Sequence, residues 1–82
     1  MDLMKLVDVR VGQTGTIKKV DGEGKVRRRL FDMGVTPNAN FFVRKKAPLG
    51  DPIELTIRGY ELSLRKDEAA LVLVTVDEED NK

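Results

Sequence analysis

Apolar residues alternate most regularly near the middle of the chain. In IELTIRGYELSLR (Ile53–Arg65) they recur at every second position on both sides of Arg58-Gly59. A two-residue turn there sets Ile57 opposite Tyr60, Leu55 opposite Leu62 and Ile53 opposite Leu64. Glu54, Thr56, Glu61 and Ser63 then share the other face, and a slip of one residue would mix the two faces, so the register is fixed. Upstream, Asn40–Ala47 predicts a strand with Phe41, Val43 and Lys45 on one face and Phe42, Arg44 and Lys46 on the other. Thr14–Val20, rich in β-branched residues and bounded by glycines, predicts an earlier strand. Leu71–Val76 is apolar on both faces and reads as a central or closing strand.

The period changes in Lys25–Gly34. Val26, Leu30 and Met33 fall on one helical stripe, and Arg27, Arg28 and Arg29 fall away from it. Gly34 sits where a left-handed C-terminal cap belongs, with Pro37 following. Pro37-Asn38 suits a turn with positive φ at Asn38. Lys66–Ala70 has room for one helical turn, and Met1–Val11 carries only a loose pattern of Leu3, Leu6, Val9 and Val11 before Gly12. The expected fold class is mainly β, a small barrel of about five strands with one short inserted helix, since closure removes exposed edges.

With 82 residues the chain is expected to form one domain over residues 1–76, followed by an acidic tail at 77–82. Charged residues make up 35% of the sequence and nearly cancel, but basic residues gather at Lys25–Arg29 and Arg44–Lys46. The chain has no cysteine and no histidine, which removes thiol chemistry, thiolate metal sites and the commonest general base. Without them no nucleophile, base and orienting group can be assembled, so an enzyme is not expected. Ferrous iron favours imidazole with carboxylate, and only carboxylates are available. No cofactor or metal site is therefore expected beyond weak cation association at Asp77–Asp80. No apolar run is long enough to span a bilayer and no signal-peptide core is visible, so a cytoplasmic location is the default.

Between two strands lies Ala47-Pro48-Leu49-Gly50-Asp51-Pro52. Both prolines fix φ, Gly50 permits a positive φ, and Asp51 can accept bonds from backbone amides in the turn. Pro52, at the first position of its strand, needs no donor there. The loop should be stiff. Leu49 at its tip is expected to fold inward and plug the barrel; the alternative is that it anchors a partner.

Arg29-Leu30, Met33-Gly34, Pro37, Ala47 to Pro52, Arg58-Gly59-Tyr60, Leu64-Arg65 and Glu68-Ala69 form a recognisable set. In these residues the chain, from about Gly12 to Val76, closely resembles the ferrous iron transport protein A (FeoA) family. Asn38 departs from the glycine usual there, a mild change because Asn tolerates positive φ. The resemblance implies an SH3-like barrel and a cytosolic accessory to a membrane ferrous iron permease with its own GTPase domain (FeoB), recruited by it to the inner membrane face. Pro48, Leu49, Gly50, Asp51, Arg27 and Arg28 are the candidate partner contacts. Gly34, Pro52, Arg58, Gly59, Tyr60 and Leu64 are the structural motif. The same domain ends some metal-dependent repressors, and a stand-alone regulatory domain of that kind is one alternative. The other is a nucleic-acid-binding barrel using the arginines with Phe41, Phe42 or Tyr60. The near-zero net charge and the apolar register of Tyr60 argue against it, and no nucleic acid is expected.

Overall fold

The hairpin forms in the register its alternation predicts. In the computed structural model, which describes residues 3–77, β4 (Ile53–Ile57) and β5 (Tyr60–Leu64) pair Ile53 with Leu64, Leu55 with Leu62 and Ile57 with Tyr60. Arg58 and Gly59 supply the two positive φ angles that the turn requires. Ile53, Leu55, Ile57 and Leu64 are buried. Tyr60 departs from expectation: it keeps its place in the register, but its side chain is 74% exposed because the core ends at Ile57.

The remaining elements are β1 (Met4–Lys5), a 3₁₀ turn (Leu6–Asp8), β2 (Thr14–Val20), α1 (Gly24–Asp32), β3 (Asn40–Lys46), α2 (Lys66–Ala69) and β6 (Val72–Val76). The six strands form one antiparallel sheet in the order β1-β6-β2-β3-β4-β5. A sixth strand thus arises within the lead-in, where pairing of Met4 with Val74 supplies what local pattern did not. Leu6 and Val9 from that segment are fully buried. β6 is central, between β1 and β2, with Val72 and Val74 buried on one face and Leu73 half-buried on the other. β4 starts one residue later than expected, so Pro52 precedes it.

Alternation in β3 holds only to Val43. Phe41 and Val43 enter the core, but a bulge at Arg44 shifts the register, and Lys46 then pairs with Ile53. Lys46 turns back to donate to the Val7 carbonyl at 3.1 Å. Helix α1 ends in a Schellman arrangement: Gly34 at φ +95° donates to Phe31 O and Val35 donates to Leu30 O at 2.9 Å. Leu30 and Val35 are buried, Met33 is partly so, and Val26 is 42% exposed, so the predicted stripe is buried at only one end. Asn38 adopts φ +75°, as expected.

β2 is where the two halves of the sheet join. Gly15 pairs with Phe41 on one side and Val76 on the other. A Cβ at Gly15 would collide with the Thr75 carbonyl oxygen and lie 2.9 Å from the Phe41 ring, so no other residue fits without separating strands. The acidic tail expected at 77–82 lies outside the described residues except for Asp77. That residue belongs to the fold, with its amide donating to Thr14 O at 2.9 Å and its carboxylate accepting from Thr14 Oγ1 at 3.1 Å.

Gly15→Ala is expected to cost about 2 kcal/mol or more, the range of an overpacked core. Urea unfolding measures it, and an unchanged midpoint would show that the strands do not approach so closely.

Candidate functional site

The loop from Ala47 to Pro52 is fixed by backbone bonds. Gly50, at φ +81°, donates to Ala47 O at 2.7 Å, and Ala47 donates to Pro52 O at 3.1 Å. The Asp51-Pro52 peptide is cis. Asp51 does not bond within the turn as expected; its carboxylate accepts from the Lys66 amide at 3.1 Å, which is the start of α2. The loop is therefore tied to the short helix as well as to itself.

Leu49 projects from this tip with 87% of its surface exposed. The inward, plugging arrangement does not occur. Ile53, Leu55, Leu64 and Ala69, from the strands and helix that follow the loop, are fully buried without it, and Gly50 takes the positive φ that closes the turn. Pro48 and Pro52 are exposed beside it. Leu49 is the most exposed of the large apolar side chains among the described residues.

The arginines of α1 do not act as one patch. Arg27 Nε donates to Val20 O at 3.2 Å, and its guanidinium lies 4.7 Å from the Phe31 ring centroid. Arg29 Nη1 lies 3.0 Å from Glu68 Oε2. Arg28 is exposed and forms no ion pair among the described residues. Of the two candidates there, Arg27 is thus held in place and Arg28 is presented to solvent.

Glu68 is the residue that pattern reading did not bring out. It is the buried charged residue of the core, 7% exposed, and both of its oxygens are used. Oε1 accepts from the Arg65 amide at 2.9 Å, closing the first turn of α2, and Oε2 meets Arg29. The short helix is therefore held from two sides, by Asp51 of the loop and by Arg29 of α1. Beside this junction a shallow groove is lined by Val26, Arg29, Arg65, Asp67, Glu68 and Leu71. It explains why Val26 is left partly open.

The motif residues divide between the interior and the surface, with Pro52, Arg58, Gly59 and Tyr60 exposed. Gly34 caps α1, Leu64 is buried, and Arg58 Nη2 donates to Thr36 Oγ1 at 2.8 Å, tying the hairpin turn to the α1–β3 connection. Among the described residues no group of three or more acidic side chains gathers where a metal ion could sit, and no helix is long and apolar enough to cross a membrane.

A six-stranded antiparallel sheet with one inserted helix and a single short turn of helix before its last-numbered strand defines an SH3-like barrel domain. The chain belongs to the FeoA domain family, whose model matches residues 4–76. It is similar over its whole length to the NMR structure of a FeoA-like protein from Clostridium acetobutylicum: 39% identity, a TM-score of 0.91, and 95% of that chain covered. The FeoA of Stenotrophomonas maltophilia, crystallised with zinc and described as a procaryotic SH3 domain protein, is 22% identical. Its TM-score is 0.76 over 88% of this chain and 89% of that one, a likeness of fold. The chain is also 35% identical over 71 residues to an Fe(2+) transport protein A/Fe(2+) transporter FeoB fusion protein of Porphyromonas gingivalis. That match takes in 87% of this chain but spans only 8% of the fusion protein.

Glu68→Gln keeps an acceptor for the Arg65 amide and is expected to cost under about 1 kcal/mol, since Arg29 is largely exposed. Glu68→Ala also loses the cap, and about 1–3 kcal/mol is expected. Equal urea midpoints for the two variants would remove the capping role.

Proposed function

We propose that this chain is a cytosolic accessory domain of ferrous iron uptake that binds and modulates a FeoB-type permease bearing a GTPase domain. The observation that carries the reading is Leu49, exposed at the tip of a loop whose backbone and Asp51 carboxylate are already bonded. A preformed apolar tip binds without the entropic cost of ordering, and a buried anchor of this kind can contribute about 2 kcal/mol or more to binding. The fusion protein of Porphyromonas gingivalis supports the choice of partner, because a related domain there shares one chain with FeoB. Arg28, exposed on α1, and the groove beside Glu68 extend the docking face. The chain works by binding rather than catalysis, and recruitment by the permease brings it to the inner membrane face. Arg27, Arg29, Arg44 and Arg58 each have an internal partner, which supports a protein rather than a nucleic acid as ligand.

Two measurements test this reading. Leu49→Ala should leave urea stability within about 0.5 kcal/mol, as surface changes do, and weaken capture by permease-containing membranes at least about tenfold. Unchanged capture would remove Leu49 as the anchor. The chain is also proposed to carry no dedicated iron site, so anaerobic titration with ferrous ion should show nothing tighter than roughly micromolar. Stoichiometric tight uptake by calorimetry would overturn that.

A further inference from the structure

β5 is the last strand of the sheet, and its second edge has no partner among the described residues. The turn at Arg58-Gly59 makes Ile57 and Tyr60 a hydrogen-bonded pair. Alternation along an antiparallel ladder then repeats that pairing at Leu55–Leu62 and Ile53–Leu64. The N–H and C=O groups of Glu61 and Ser63 consequently point away from β4. Both residues are exposed, and neither amide enters a turn or cap bond. The bulges of the sheet lie in β2 and β3, while β5 pairs without a shift and contains no proline. The opposite edge strand, β1, is only two residues long. β5 is therefore a regular, open edge of the kind that accepts another strand.

Among the described residues, the two most exposed large apolar side chains lie toward opposite ends of the β4–β5 hairpin. Tyr60 begins β5, and the loop carrying Leu49 joins β4 at Ile53, opposite Leu64. A five-residue extended segment, about 17 Å long, would fill the interval. On the outer face the Glu61 side chain is 69% exposed. Its contact with Arg44 is 3.7 Å, whereas Arg44 sits closer to Glu54 at 3.2 Å. The Glu61 carboxylate thus has capacity for a further cation.

We propose that β5 is a docking edge on which an extended segment of the FeoB-type partner adds as a further strand. Its main chain bonds to Glu61 and Ser63, its apolar residues face Tyr60 and Leu62, and a Lys or Arg faces Glu61. This rests on the reading that the permease is the partner. A second copy of the chain is the poorer occupant: pairing Leu62 with Leu62 uses all of β5 but sets Glu61 opposite Ser63, and the register that brings Arg65 to Glu61, with Ser63 opposite Ser63, runs past the end of the strand. A five-residue edge alone also falls well short of the roughly 1,200 Å² that a stable dimer buries.

Amide hydrogen exchange on the unmodified chain, free and bound to reconstituted permease, tests the proposal. The Glu61 and Ser63 amides are expected to exchange fast when free and at least about tenfold more slowly when bound. Ser63→Pro removes an outward donor without touching the β4 ladder, which an edge position accepts; capture should fall at least tenfold with the urea midpoint retained. Capture of the unmodified chain with no slowing at either amide overturns the docking edge and leaves the partner intact. Absence of capture overturns the partner itself, and with it this proposal. Slowing without permease that grows with protein concentration, together with a dimer in sedimentation, assigns the edge to a second copy and overturns the proposal.

Discussion

The approach of three strands at Gly15 governs this molecule. β2 is the strand shared by the β3-β4-β5 half and the β1-β6 half, and Gly15 is the residue through which both pairings run. The Phe41 ring lies across it and the Thr75 carbonyl closes in from the other side, so the absence of a Cβ lets the sheet fold over its own core. Around that crossing, Ile17, Val43, Leu55, Val72 and Val74 are fully buried. In so short a chain a core this thin cannot spare a cavity or a clash.

Where the barrel runs out of apolar contacts, a polar junction takes over. Glu68 joins the first turn of α2 to α1, and Asp51 joins the loop to the same turn. A buried carboxylate with both oxygens satisfied fixes geometry more than it adds stability, because its desolvation offsets much of the attraction. Here the geometry it fixes is the relative placement of helix, groove and loop. The tip carrying Leu49 is thereby held against a frame instead of swinging on two strand ends.

Most of the β framework was legible in the sequence because alternation with a two-residue turn admits one register, and Ile53–Leu64 follows it. The cap at Gly34 and the positive φ at Asn38 were legible for a similar reason, since few residues tolerate those angles. Tyr60 was misplaced because alternation assigns a face without saying how far the core reaches along it. Leu49 was misplaced because an apolar residue in a polar turn carries no local signal of direction. β1 and the Glu68 junction depend on contacts distant in sequence. Arg65 is not a favoured capping residue, so only the glutamate half of the capping box was there to be read. Gly15 did carry a sign, a glycine inside a β-branched run, but its double pairing becomes visible only once β6 is in place.

The pairing of β1 with β6 has a consequence for how this domain can be joined to others. Met4 lies opposite Val74, so the chain enters and leaves the barrel through neighbouring positions. A polypeptide attached at either end departs from the same end of the sheet, the end at which β3 passes through the loop into β4. Such a unit is portable: it can be strung onto a larger protein, or set free from it, without breaking a strand pairing. Covalent attachment then alters the local concentration of the domain near a neighbour rather than the contacts it makes.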